Sequence, residues 1–265
     1  MSASTIPISP LQLGTSALLI LINISLSFAL RLGLEKSLII ATARMLVQLL
    51  LIGYVLNWLF TLSNPLVIIA LALFMASIAG ISGVNRTSRR FVGIYWQSLL
   101  SILVAAFLIT QFSIIGVIRV DPWYDPQYFI PLLGMILGNA LNGVSLGLDQ
   151  FMDNLVANQG QIETLLSLGA TRWEATHKEV QSAVRRGMIP MINSMMVTGL
   201  VSLPGMMTGQ ILAGANPLDA VRYQTIVMFA IASGTALATL GVVLLAWNSL
   251  LSPAHQLRLD KLRRS

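Results

Sequence analysis

The sequence predicts an all-α, polytopic membrane protein organised as one domain over residues 1–265, and three observations carry that prediction. Seven apolar segments are each long enough to cross about 30 Å of hydrocarbon at about 1.5 Å per residue. Charged residues are 10% of the chain, against about 25% in an ordinary soluble domain, and the mean hydropathy is +0.79. Positive charge also alternates from one connection to the next, as it does in a chain that threads a membrane repeatedly.

The segments follow in order. Residues 11–30 come after MSASTIPISPLQLG, which lacks a positive n-region, so they read as a retained helix and not as a cleaved signal peptide. Residues 38–60 hold Arg44, and 65–84 hold no charge at all. Residues 92–118 are longer than one crossing needs and are expected to tilt or to extend past the membrane. Residues 128–149 form the fifth segment. The sixth, 188–212, contains Pro190 and Pro204, and the seventh is 222–248.

Orientation follows from the connections. RLGLEK, NRTSRR, the long stretch 150–187 and the tail QLRLDKLRRS carry 13 of the 16 Lys and Arg; the other set carries Arg119 and Arg222, and Arg44 lies within a span. The positive-inside rule then puts the N-terminus outside and the C-terminus in the cytoplasm, in the cell inner (plasma) membrane. The net charge of +6 reflects this topology and anionic lipid, and it does not point to nucleic acid. The triplet Asn85-Arg86-Thr87 matches a glycosylation acceptor but falls on the predicted cytoplasmic side, so it is set aside.

Several chemistries are excluded. With no cysteine there is no disulfide, thiolate metal site or cysteine nucleophile. No G-x-x-x-x-G-K-[ST] loop is present, so the chain does not bind ATP in that manner, and no H-E-x-x-H or G-x-S-x-G occurs. The two histidines, His177 and His255, are far apart in sequence. The chain is therefore expected not to be an enzyme.

The polar stretch 150–187 is the exception in an oily chain. Ile162, Leu165, Leu166 and Leu168 precede Gly169, and Arg172 and Trp173 follow Thr171, a good N-cap for RWEATHKEV. The pattern predicts two short helices meeting at Gly169–Ala170. A short amphipathic helix on a cytoplasmic connection either lies on lipid headgroups or docks in a partner's groove, and the pattern alone leaves both open.

Polar side chains within spans are functional candidates by default. Arg44, with Gln48 one turn on, either snorkels to the interface, lines a cavity or pairs with Asp149. Asn139, Asn142, Ser145 and Asp149 form one stripe, as packing glue or as a cavity wall. Asp149 and Asp153 either attract a divalent cation or cap the cytoplasmic connection. Span six gathers Met188, Met191, Met195, Met196, Met206 and Met207 with Asn193 and Gln210 around Pro204–Gly205. Those thioethers either fill space or act as soft ligands, and they leave the metal ligands unknown. Arg44, Asn142, Met195 and Met196 are expected to share one internal cavity with Gln48, Asn139, Asp149, Pro204 and Gln210.

Family resemblance sharpens this reading. Glu163, six residues before Gly169, resembles the E-A-A-x-x-x-G loop of ABC transporter permeases, whose short coupling helix docks into an ATP-binding subunit. The I-x-L-P that follows in importers is not matched at its usual distance, because Ile189–Pro190 comes twenty residues after Gly169. The stretch MVTGLVSLPGMMTGQILAGANPLDAVRYQ, Met196 to Gln224, resembles the FetB-type permeases of the UPF0014 family. RMLVQLLLIGYVL at 44–56, GNALNGVSLGLD at 138–149 and LLSLGATRWEA at 165–175 are similar to it as well. That family includes a bacterial iron export permease and a plant aluminium-tolerance permease.

The resemblance implies an ABC-type exporter that moves metal ions, iron first, out of the cytoplasm. It implies two copies of this chain with two ATPase subunits, and ATP and Mg bound by the ATPase with no cofactor in this chain. Glu163, Leu165, Leu168, Gly169, Arg172 and Trp173 would form the coupling element. A sugar nucleotide or another small molecule is the alternative cargo within this class. An ATP-independent secondary transporter or channel is the alternative from another class; it would predict inverted repeats and an intramembrane acidic relay.

Overall fold

The computed structural model describes residues 9–62 and 64–264, so the expected external placement of residues 1–8 lies outside the described residues. The chain is helical almost throughout. The helices are α1 Pro10–Ala29, α2 Glu35–Leu62, α3 Pro65–Asn85, α4 Ile94–Gln111, α5 Pro126–Ala157, α6 Gln159–Ser167, α7 Arg172–Val197, α8 Gly205–Leu212 and α9 Pro217–Leu250. A π-helical turn, Phe112–Ile118, continues α4. Strands β1 (Arg89–Arg90) and β2 (Arg263–Arg264) form a two-residue antiparallel pair that ties the C-terminal tail to the α3–α4 connection.

Four long helices start with the same local chemistry. Ser9, Asn64, Asp125 and Asn216 cap α1, α3, α5 and α9 by accepting a backbone N–H, and a proline follows each. Proline suits that position because its missing N–H has no helical partner there and its φ is already helical. The expected spans 38–60, 65–84, 128–149 and 222–248 fall inside α2, α3, α5 and α9, and α5 runs eight residues past its expected end at 149.

The expected sixth span, 188–212, requires correction. Six helices among the described residues are long and apolar enough to cross a membrane: α1, α2, α3, α4 with its π-turn, α5 and α9. Residues 188–212 are not one helix. They are the apolar second half of α7, an irregular segment 198–204, and the short α8. Pro190 does not end α7; the break comes later, at Thr198, which is extended, and Gly199 at φ +90°. The polar first half of α7, RWEATHKEVQSAVRR, lowers its average hydropathy and keeps it out of these six. Even so, α7 runs antiparallel to α9 for most of its length. The Trp173 and Trp247 rings lie 5.6 Å apart at one end, and Met195 and Phe229 share a cleft at the other.

α5 is the central helix, with 56% of its apolar window buried, and α3, α4, α7 and α9 surround it. Three helices meet at two glycines. A Cβ at Gly187 of α7 would sit 2.6 Å from the carbonyl oxygen of Gly143 on α5 and 2.6 Å from Cγ2 of Thr239 on α9. Small residues let membrane helices approach backbone to backbone, and dispersion contacts then replace the missing hydrophobic drive. α1 and α2 form a peripheral hairpin whose turn is closed by Ser27: its hydroxyl donates to Glu35 Oε1 at 2.9 Å and accepts the Leu34 N–H at 3.0 Å. Their windows are 6% and 0% buried, so a bilayer or another protein must cover them.

One end of the bundle gathers residues 86–90, the ends of α5 and α9, the start of α7 and the tail, with most of the Lys and Arg. The other gathers the four proline-capped starts. A reporter at the C-terminus is therefore expected in the cytoplasm and one near Asp125 outside; finding both on one side would contradict this topology.

Candidate functional site

The basic end carries a helical tip. α5 projects to Ala157, α6 follows after Asn158, and the chain reverses into α7 at Leu168–Thr171. Two short helices were expected to meet at Gly169–Ala170. The meeting point is as expected, but the second helix is the full 26 residues of α7. The turn is over-determined. The Gly169 N–H donates to Leu166 O at 3.1 Å and the Ala170 N–H to Leu165 O at 3.0 Å, a Schellman closure with Gly169 at φ +92°. Thr171 then caps α7. Its hydroxyl accepts the Glu174 N–H at 3.3 Å, and its N–H donates back to Glu174 Oε2 at 2.8 Å. That backbone N–H first, and then the Thr171 hydroxyl, hold the Glu174 carboxyl below its ordinary pKa. The cap's charged form thus contributes at neutral pH and is lost only as pH falls through that depressed value.

Arg172 fastens the tip to the bundle. Its guanidinium donates to Asn248 Oδ1 at 3.2 Å and Leu251 O at 3.3 Å and lies 4.4 Å from the Trp247 ring. Trp173 stacks edge-on against Trp247 and is 41% exposed. The expected coupling residues therefore divide. Leu165 turns inward and packs, half-buried, against the core, while Leu168 stands 79% exposed at the apex. Glu163 is exposed beside it and accepts from Gln159 Nε2 at 2.8 Å. Arg172 acts as a brace between the tip and the end of α9.

Four of the expected cavity residues line clefts of the single chain, divided among three of them. Arg44 and Gln48 line a cleft of ≈420 Å³ between α2, α3 and α5, together with Ser82, Arg86 and Gly138. Asn142 borders it and accepts from Arg86 at 2.7 Å. Met195 lines a second cleft, of ≈340 Å³, between the 198–204 segment, α8 and α9. Gln210 lines a third, of ≈210 Å³, with Met135, Met206 and Tyr223. Met196 is 74% exposed and lines none of these three, and Pro204 starts α8. Asn139 donates to Met135 O of its own helix at 2.9 Å. Asp149 does not pair with Arg44. It accepts the Ser88 N–H at 2.8 Å and the Ser88 hydroxyl at 2.7 Å, while Asp153 pairs with Arg89 at 3.0 Å. Both carboxylates thus hold the α3–α4 connection in place, and not the 150–187 connection that they were expected to cap.

Gln224 was missed in the sequence. It is buried, its Oε1 has no hydrogen-bond partner, and it lines the ≈340 Å³ cleft with Met195, Met207 and Met228. The signal was present: Asn216-Pro217 is a cap followed by proline, which starts α9 at 217 and carries Gln224 two turns inside. Among the described residues no group of three or more His, Asp or Glu is placed to hold a metal ion.

The family model described as "Uncharacterised protein family (UPF0014)" matches residues 10–251. This chain belongs to the UPF0014 family. Its relatives span bacteria and plants. UPF0014 membrane protein YjkA of Bacillus subtilis is 35% identical over 248 residues, 94% of this chain and 98% of that protein. Protein ALUMINUM SENSITIVE 3 of Arabidopsis thaliana is 35% identical over 245 residues, 92% of this chain and 88% of that protein. The "Probable iron export permease protein FetB" of Escherichia coli is 32% identical over 254 residues, 96% of each. No solved structure matches. Membership in UPF0014 and six membrane-length helices make this an integral membrane protein of the all-α class.

Proposed function

We propose that this chain is the permease subunit of an ATP-driven exporter in the inner (plasma) membrane, working with a separate ABC ATPase and moving metal ions, iron first, out of the cytoplasm. The observation that carries this reading is the helical tip. An exposed Leu168 sits at the apex of a turn braced by a Schellman closure, a capping box and Arg172, and it projects from the basic end between α5 with α6 and α7. A rigid lever with one apolar knob suits a groove in a partner better than a lipid surface, which would reward a longer apolar face. The sequence has no phosphate-binding loop, so ATP and Mg belong to the partner and this chain is not itself an enzyme. The name of the E. coli relative supports export and iron. Purification of tagged protein from native membranes should bring down an ABC ATPase in equal amount. Isolation of the chain alone, still moving ions in vesicles, would favour a secondary transporter or channel instead.

The working unit in this reading holds two copies of the chain and two ATPase subunits. Support comes from the irregular segment 198–204 between α7 and α8. Leu200 and Val201 are 92% and 83% exposed, and the carbonyls of Thr198, Gly199 and Leu200 receive no backbone N–H. Lipid would cover the side chains and strand the carbonyls; water would do the reverse. A protein surface covers both, and a second copy brings the same segment to a shared pathway. The chain has no cysteine, so Val201→Cys gives one reactive site. Oxidation in membranes is expected to cross-link it into dimers, while Leu18→Cys on α1 stays monomeric; equal cross-linking at both would contradict the seam.

A further inference from the structure

The cleft between α2, α3 and α5 holds two arginines and no acid. Arg44 and Arg86 both line its ≈420 Å³, and no Asp or Glu does. Among the described residues neither guanidinium meets a carboxylate: Asp153, Asp219 and Asp260 pair with other arginines, and Asp149 is held by Ser88. Arg86 donates one N–H to Asn142 Oδ1 at 2.7 Å, which fixes it at the edge of the cleft. Ser82 and Gln48 add a hydroxyl and an amide. Donors therefore outnumber acceptors, because two guanidiniums bring up to ten N–H groups and accept nothing. Two like charges in low-dielectric surroundings raise each other's cost, and an anion between them relieves both.

The cleft also has a direction. α1 starts at the proline-capped end, so the α1–α2 turn lies at the basic, cytoplasmic end. Arg44 sits about 13 Å along α2 from Glu35, inside the hydrocarbon of the cytoplasmic leaflet. On α3, Ser82 and Arg86 lie nearest the basic end, with Met75 and Ile78 deeper; on α5, Gly134 and Leu137 line the deep part. Charge thus stands at the cytoplasmic mouth, and apolar surface lies beneath it. A metal cation is repelled there, and a free phosphate would use the mouth alone. A phospholipid uses both parts, and basic pockets between helices on the cytoplasmic side bind acidic head groups.

We propose that this cleft binds an anionic phospholipid of the cytoplasmic leaflet, with its phosphate on Arg44 and Arg86 and the start of one acyl chain along Met75, Ile78 and Leu137. Gln48, one turn deeper than Arg44, donates to an ester carbonyl. The rest of the lipid lies on the outer face of α2, whose apolar window is 0% buried. The lipid thereby fills the seam between the α1–α2 hairpin and the bundle. This site goes beyond the proposed export function and requires neither the ATPase nor a cargo ion.

The test uses the purified, delipidated full chain in neutral detergent, titrated with phosphatidylglycerol, phosphatidylcholine and inorganic phosphate and read by native mass spectrometry. The wild type is expected to bind phosphatidylglycerol about 30-fold more tightly than the zwitterionic phosphatidylcholine. R44Q/R86Q should remove that preference, and R44K/R86K should keep most of it, which separates lost charge from lost folding. R185Q/R186Q removes the same charge from exposed positions on α7 and should leave the preference intact. Gly138→Leu adds bulk inside the cleft, where no atom lies within 4 Å of the new Cβ, and should weaken phosphatidylglycerol binding with no change of charge. No preference in folded wild type, a preference kept by R44Q/R86Q, or an equal loss in R185Q/R186Q would each overturn the site. Inorganic phosphate that displaces phosphatidylglycerol, and whose binding R44Q/R86Q abolishes, would assign the arginines to a soluble anion and overturn the lipid as well.

Discussion

Leu168→Asp is expected to separate the ATPase from a permease that still folds. Leu168 is 79% exposed and at the tip apex, so a charge there meets only water in the isolated chain. In a docked complex the same carboxylate would enter a partner's apolar groove. Loss of one such anchor costs about 2 kcal/mol or more, roughly a 30-fold weaker complex. Pull-down of the ATPase and transport-linked ATP hydrolysis should both fall, with gel filtration in detergent unchanged. Gly169→Val should act through geometry. At φ +92° a residue with a Cβ is strained by about 1–2 kcal/mol, and a β-branched one by more, which loosens the turn that aims Leu168. Leu165→Asp supplies the contrast, because Leu165 packs against the chain's own core and its loss should show as instability. Normal ATPase binding by the Leu168 and Gly169 variants would leave the tip without a coupling role.

Gly187→Leu is expected to damage the fold itself. Its Cβ would fall 2.6 Å from a backbone oxygen of α5 and 2.6 Å from Thr239 of α9. A flexible side chain can rotate away, but the α5 carbonyl moves only if the helix does. Overpacking of this kind costs about 1–3 kcal/mol, and the whole side chain adds to it here. Thermal unfolding in detergent should shift down by several degrees, with loss of the monodisperse peak. Gly138→Ala is the control: no atom lies within 4 Å of the added Cβ, so stability should hold. Equal behaviour of the two variants would refute the close α5–α7–α9 crossing.

The contrast between these sites shows what the sequence makes legible. Apolar runs and cap-plus-proline starts announce helices, because both signals are local. The turn at Gly169 is legible for the same reason. The division of 188–212 is not, since its apolar run begins midway along α7 and that helix stops at 197, before the short α8. Periodicity puts Leu165 and Leu168 on one stripe of a helix but does not say where that stripe ends or which residue faces the core. The Asp149 and Asp153 roles depend on the α3–α4 connection, some sixty positions earlier in the chain. Arg44, Gln48, Met195 and Gln210 stand out in the sequence as polar or sulfur-bearing, while their separation into three clefts comes from how α2, α7 and α8 sit around α5.

The central claim is that this chain moves metal ions outward only when a separate ATPase drives it. Inside-out vesicles containing both subunits test it most directly, because their lumen corresponds to the cell exterior. With Fe(II) outside the vesicles, the account predicts luminal accumulation that requires ATP, requires the ATPase subunit and is abolished by Leu168→Asp. Accumulation at the same rate without ATP or without the ATPase would contradict it, and would make the chain a transporter that works alone.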